Sequence, residues 1–274
     1  MSSRERADTA LVSRGFCPSR EKAQAAIMAG QVYAGGRRIQ KPSEALNPED
    51  ELTVRRPAVD YVSRGALKLE KAVRVFDADL RDRVVLDIGA STGGFTDVCL
   101  RNGARKVYAV DVGYGQLAWK LRTDERVVNM ERTNIRNVTP EDIGSLLDFA
   151  SIDVAFISLT KVLPVAYNLL TANGELVALI KPQFEAGREH VGKKGVVRDP
   201  KIHEAVISKV TEFSRELGFC PLALTYSPVK GPEGNIEYLI RLSKDKAGED
   251  TVSLEKITAV VAAAHGELDK PSDK

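Results

Sequence analysis

The segment RVVLDIGASTGGFTDV, Arg83 to Val98, constrains the fold of this chain more than any other. A short apolar, β-branched run ends in glycine, and a helical pattern starts directly after it. A second such run, KVYAVDVG, follows, and RVVNM, IDVAFISL, GELVALIKP and NIEYLI come after it, with helical pieces among them. Strands alternating with helices predict a parallel, doubly wound α/β sheet, which places ligands beyond the carboxyl ends of its strands.

The loop after the first strand narrows the ligand. Gly89, Gly93 and Gly94 let the backbone approach a ligand closely and adopt positive φ. Ser91 stands where Gly-x-Gly-x-x-Gly requires its second glycine, so a dinucleotide fingerprint, and with it a nicotinamide dehydrogenase, fits poorly. Asp111 ends the second strand 22 positions after Gly89, where a carboxylate can take both hydroxyls of a ribose. Asp87 can accept an ammonium or order the loop. Strand, Asp-x-Gly-x-x-x-Gly-Gly, helix, strand, Asp is the layout of an S-adenosylmethionine site. Glu131 and Asn134 follow the third strand, where an adenine edge would lie. The cofactor candidates are Asp87, Gly89, Ala90, Ser91, Thr92, Gly93, Gly94, Phe95, Asp111, Val112, Glu131 and Asn134.

Ahead of this domain lies a shorter one. Asp8 is expected to cap a helix over TALVSRG that ends at Gly15, and Ser19 to cap REKAQAAIMAG before Gly30. The pieces QVYAGGRRI and ELTV then read as short strands separated by turn formers. RRPAVDYV reads as a linker, which puts the boundary near residues 56–61 and divides the chain into 1–57 and 58–274. From Met1 to Lys41 there are eight basic and three acidic side chains, net +5, on a chain whose total is only +2. That local excess is an electrostatic footprint for nucleic acid.

Composition excludes several classes. No apolar run reaches the ~20 residues of a membrane span, and the charged start MSSRERADTA has no signal-peptide core. A secreted or membrane-active haemolysin would need one or the other. Cys17, Cys99 and Cys220 are odd in number and far apart, which argues against disulfides or a zinc site and suits a reducing cytoplasm. His203, in a predicted helix, and His265, in a charged tail, are expected at the surface. His190 is at most a substrate contact.

Charged residues in apolar settings mark the chemistry. Asp153 interrupts IDVAFISL, Lys181 ends GELVALIKP, and Glu237 sits in NIEYLI. Buried charge is costly unless paired, so two carboxylates and a lysine at strand ends read as one site. Lys68, in YVSRGALKLEKAV, borders the helical stripe of Leu69, Ala72, Val73 and Phe76. By itself it reads as a snorkelling lysine.

Two resemblances follow from these residues. Arg6-x-Asp8, Leu11, Gly15, Ser19-Arg20, Ala23, Ile27, Gly30 and Val32 resemble the S4 RNA-binding module. That resemblance makes Arg6, Arg14, Ser19, Arg20, Lys22, Arg37 and Arg38 candidate RNA contacts, with Arg4 beside them. SRGALKL, DIGASTGGFT, DVGYGQLAW, ERTN, FISL, IKPQFE, GVVRDP and GNIEYLI, in this order, resemble the TlyA (haemolysin A) family. Its members join an S4 module to an FtsJ-type ribosomal RNA 2′-O-methyltransferase domain.

The resemblance implies a Rossmann-like methyltransferase fold, S-adenosylmethionine as cofactor, no metal, and ribosomal RNA as partner. It implies a cytidine ribose as target, and a Lys-Asp-Lys-Glu tetrad at Lys68, Asp153, Lys181 and Glu237. Lys181 would act as base or orient the hydroxyl: desolvation and a neighbouring Lys68 would favour its neutral form, Asp153 and Glu237 oppose it, and Lys68 would hold the developing oxyanion or the adjacent phosphate. The segment KPQFEAGREHVGKKGVVRDP reads as a loop able to clamp RNA through Arg188, Lys193, Lys194 and Arg198, and Arg64 as a phosphate contact. The pattern VSLEKITAVVAAA predicts a C-terminal helix. A non-catalytic RNA-binding protein is the remaining alternative, against which all four tetrad positions are filled.

Overall fold

The computed structural model describes residues 4–28, 30–54, 61–245 and 247–269. The chain divides into two compact units, 1–60 and 61–274. The linker expected near residues 56–61 falls almost wholly outside the described residues.

In the smaller unit β1 (Glu5–Arg6) leads into α1 (Ala7–Ser13) and α2 (Arg20–Met28). The strands β2 (Val32–Ala34), β3 (Arg37–Arg38), β4 (Ala45–Leu46) and β5 (Leu52–Val54) follow. The sheet order is β3-β2-β5, with β1 and β4 paired separately. Ala7, Leu11, Ala23, Ile27, Val32 and Leu46 form its core. Gly15 follows α1 with φ +78°, and the Lys22 N–H donates to Ser19 Oγ at 3.3 Å at the start of α2. Asp8 is not the cap of α1. It lies inside the helix, fully buried, and accepts from Arg6, Arg20 and Gln24. A carboxylate with charged donors on both oxygens is stable in the core, and a cap position would have left it in water.

The larger unit begins with α3 (Ala66–Phe76), β6 (Val84–Ile88), α4 (Gly94–Arg101), β7 (Lys106–Val110), α5 (Trp119–Arg122) and β8 (Val127–Met130). It continues with α6 (Pro140–Ile143), β9 (Leu147–Ile152), α7 (Leu163–Leu169), β10 (Leu170–Ile180) and α8 (Pro182–Glu185). Last come α9 (Pro200–Leu217), β11 (Cys220–Tyr226), β12 (Tyr238–Ser243) and α10 (Leu254–Leu268). The sheet order is β11-β12-β10-β9-β6-β7-β8. From β10 to β8 every pair is parallel. The strand β12 is antiparallel to both of its neighbours, because no helix crosses between β11 and β12 to return the chain to the same end. Strand side chains alternate between two faces: Leu86 and Ile88 join one apolar cluster and Val85 the other.

Two sequence expectations are corrected here. The strand expected over IDVAFISL is β9, which ends at Ile152, so residues 153–158 are loop beyond the sheet. Hydrophobicity misled because Phe156 is 91% exposed and has φ +64°, incompatible with a strand. His203 is fully buried on α9. Its ring nitrogens lie 2.7 Å from the Tyr238 hydroxyl and 3.0 Å from the Val197 carbonyl, and His265 packs on it. Burial pushes His203 down to about 4. A helical histidine gives no sequence signal for which face it occupies unless the whole inward stripe is apolar, and here Thr211 and Ser214 share that face.

Candidate active site

Chain order reverses between β6 and β9, which are adjacent strands, so the crevice beyond their carboxyl ends is the topological switch point. Ile88 pairs with Ile152 there, placing Gly89 beside Asp153. β10 ends at the same edge with Lys181. Because β12 runs the other way, its start lies at this edge too, with Tyr238 paired to Ile180 and Glu237 just before it.

The fourth group arrives from α3. Leu69, Ala72 and Phe76 seat this helix on the sheet, while Lys68, 8% exposed, turns into the crevice. Gly94, opening α4, permits that approach. A Cβ there would meet Ser63 Oγ at 2.4 Å and the Ala66 nitrogen at 2.9 Å.

The geometry is a chain of alternating charge. Lys68 Nζ lies 2.6 Å from Glu237 Oε2 and 3.7 Å from Asp153 Oδ2, and Lys181 Nζ lies 2.5 Å from Asp153 Oδ1. Glu237 is 1% exposed, and the other three side chains are 10–20% exposed. Two carboxylates and two ammoniums balance, which offsets much of the desolvation cost of placing four charges together. Lys68 is shared by two carboxylates. Lys181 has one, with the Phe184 ring centroid 6.0 Å away.

Next to this cluster is a cleft of ≈ 480 Å³. Gly89, Ser91, Asp111, Val112, Asn134 and Asp153 are among the residues that line it. The Ser91 and Gly113 N–H groups donate to Asp111 at 2.8 and 2.7 Å, which fixes the carboxylate at the rim. Mostly apolar walls with a few oriented polar groups fit a nucleoside-sized cofactor, and Asp111 retains acceptor capacity for ribose hydroxyls.

Other cofactor candidates do not line the cleft. Asp87 is buried behind it, where Thr96 and Ser151 donate to it at 2.7 and 3.1 Å, and burial pushes it up to about 6. Phe95 is in the core, Gly93 faces Leu117 and Leu121, and Gly94 faces α3. Ala90 and Thr92 belong to the turn itself. Glu131 is bound by Arg122 at 2.5 Å, which lowers it to about 2. Gln116, Thr133, Arg136 and residues 154–157 line the cleft without having been anticipated: the first three lie outside the strands and longer helices, and 154–157 read as strand rather than as the loop they form.

The RNA candidates are scattered in role. Arg64, Lys193, Lys194 and Arg198 are exposed, and Arg188 lines a second cleft with Phe156 and Phe184. In the small unit Arg4 bonds Asn47, Arg14 bonds the carbonyls of Asn47 and Asp50, and Arg37 pairs with Glu44. Arg6 and Arg20 share Asp8, Lys22 is exposed, and the Arg38 guanidinium lies against Gly30. Ser19 is engaged as a helix cap.

Comparison with known proteins places this architecture. Residues 61–244 match the family of FtsJ-like methyltransferases, and residues 5–52 match the S4 domain. YqxC of Bacillus subtilis (strain 168) is 52% identical over 270 residues, covering 97% of this chain and 96% of that protein. The 16S/23S rRNA (cytidine-2'-O)-methyltransferase TlyA of Mycobacterium tuberculosis is 45% identical over 250 residues, 90% of this chain and 93% of that one. The solved structure of a Streptococcus thermophilus protein named for hemolysin superposes with TM-score 0.79 at 47% identity, covering 100% of both chains. Among the described residues no helix is long and apolar enough to cross a membrane. The chain belongs to the FtsJ-like methyltransferase family and carries an S4 domain ahead of the methyltransferase domain.

Proposed function

We propose that this protein methylates the 2′-hydroxyl of a cytidine ribose in ribosomal RNA, in the cytoplasm, with S-adenosylmethionine as donor and Lys68, Asp153, Lys181 and Glu237 as its catalytic groups. The observation that carries this reading is the continuous Glu237–Lys68–Asp153–Lys181 ion chain at the sheet edge beside the Gly89–Asp111 cleft. The relatives named for cytidine-2'-O-methylation support the substrate.

Bound S-adenosylmethionine supplies a methyl group on a positively charged sulfur. Gly89, Asp111 and Asn134, which line the cleft, would hold the nucleoside part of that cofactor. Lys181, after losing its own proton to solvent, would take the proton of the ribose hydroxyl as that oxygen accepts the methyl group the cofactor would supply. Asp153 orients Lys181 through the ion pair between them. Lys68, held between Glu237 and Asp153, would balance charge developing on the ribose oxygen. Positioning of hydroxyl and donor in line contributes much of the acceleration.

The test is Lys181→Ala. It is expected to lower methyl transfer by at least about 10²-fold, the usual scale of general-base loss, with cofactor affinity retained in calorimetry. Near-normal turnover would overturn the assignment of Lys181. Mapping ribose methylation on ribosomal RNA from cells with and without the protein identifies the nucleotide, and unchanged maps would overturn the substrate.

A further inference from the structure

The smaller unit holds a charge cluster that the methyltransferase chemistry does not use. Asp8 is fully buried, yet the two guanidiniums that reach it are half exposed, with side chains 50% (Arg6) and 57% (Arg20) accessible. Arg6 Nε donates to Oδ1 and its Nη2 to Oδ2, both at 3.0 Å, a bidentate pairing. Arg20 Nη2 donates to the same Oδ2 at 3.0 Å, Gln24 Nε2 donates to it at 2.9 Å, and Thr9 Oγ1 lies 3.5 Å from Oδ1. These contacts hold Asp8 well below the usual carboxylate range, with the Arg6 bond the largest cause.

Two consequences follow from this geometry. Both Nη2 atoms sit on one oxygen, so the guanidiniums are tethered side by side and cannot spread along a polyanion. Two cations over one carboxylate also leave a single positive charge, matched to a single phosphodiester. We infer that Arg6 and Arg20 form one phosphate site built on Asp8, which takes a single phosphodiester of the RNA backbone, rather than two independent phosphate contacts. The inference rests on the reading that this unit binds RNA. Asp8 acts here as a positioning residue: it fixes the fork and cancels the second charge. Removing either arginine leaves a neutral pair, so each single loss abolishes the whole contact.

Counterion release counts such contacts. Each phosphate neutralised contributes between about 0.7 and 0.9 to the slope of log affinity against log salt. The full-length protein and variants are titrated with a labelled RNA hairpin at several KCl concentrations. R6Q, R20Q and the double variant R6Q/R20Q are each expected to lower the slope by the same single contact. Affinity of the double is expected within about twofold of either single, because neighbouring residues acting as one unit are not additive. The double leaves a buried carboxylate with Gln24 as its main donor, so R6Q/D8N/R20Q, which removes the charge together with its partners, is measured beside it with melting curves for each. It is expected to show the same slope. A double or triple variant that loses two contacts would overturn the shared site, as would variants that lose none. Wild-type protein without salt-dependent RNA affinity would instead overturn the underlying RNA-binding reading.

Discussion

Gly89 and Asp153 meet across the switch point: a Cβ on Gly89 would lie 2.4 Å from the Asp153 carbonyl oxygen and 2.9 Å from its carbonyl carbon. The glycine at the cofactor loop and the carboxylate at the centre of the tetrad are therefore positioned by one backbone contact. Gly89 also has φ +86°. Gly89→Ala is expected to cost about 1–2 kcal/mol from the positive φ alone, and more because the neighbour is backbone and cannot swing aside. Cofactor affinity should fall by at least about tenfold, equivalent to 1.4 kcal/mol, in calorimetry. An alanine variant that binds cofactor normally would contradict this.

Gly231 offers a finer probe of the same cluster. A Cβ there would sit 2.8 Å from Glu237 Oε1, the oxygen that Lys68 does not hold. Gly231→Ala is expected to turn the carboxylate and loosen Lys68, lowering kcat severalfold with cofactor affinity unchanged. Glu237→Gln removes one partner of a buried pair and should cost about 3–5 kcal/mol, read as a lower urea midpoint. Equal activity of Gly231→Ala and the parent would mean that the Glu237 rotamer does not matter.

The seat of α3 is testable without touching a charge. Leu69 is fully buried next to Lys68. Leu69→Ala is expected to cost about 2–5 kcal/mol and to lower methyl transfer even at temperatures where the variant remains folded. Full activity in the folded variant would show that Lys68 is placed by its ion pairs alone.

Two buried groups act against each other with pH. Asp87, raised to about 6 chiefly by burial, keeps its proton in the folded state where the unfolded carboxyl, near 3.8, has lost it. Its contribution to stability therefore falls as pH rises from about 4 to about 6. His203, lowered to about 4 from 6.5 chiefly by burial, is protonated in the unfolded chain but not in the folded one across that interval. Its contribution falls as pH drops from about 6.5 to about 4. The Val197 carbonyl, His265, Asp269 and Asp199 modulate that ring. Each effect is on the order of 3 kcal/mol at full extent, so in the parent they largely cancel. His203→Gln should become more stable on acidification through this interval and Asp87→Asn less stable. Denaturation midpoints with the same pH slope in all three proteins would refute the opposition.

The sequence carried the parts of this protein that depend on local pattern. The run ending at Gly89, the helix opening at Gly94 and Asp111 closing the next strand are legible because strand and helix periods differ and glycine marks the turn. The helical stripe of Leu69, Ala72 and Phe76 is legible for the same reason. Where local pattern ended, so did legibility. Asp153 and Phe156 sit in an apolar run that reads as strand, but the chain leaves the sheet at Ile152. Asp8 and His203 are polar residues at helical positions that read as cap and surface, and only packing shows them buried with partners.

The grouping of Lys68, Asp153, Lys181 and Glu237 divides between the two. The sequence supplied the residue types and the strand-end positions of Asp153, Lys181 and Glu237, while Lys68, on a helix, joined them only through the family resemblance. Their distances, with Lys68 against two carboxylates and Lys181 against one, follow from the strand order, from β12 running antiparallel so that Glu237 starts where Lys181 ends, and from the angle of α3. Residues separated by up to 169 positions meet in that cluster. Strand order and helix placement are set by burying two apolar faces at once, a property of the whole chain that no local segment contains.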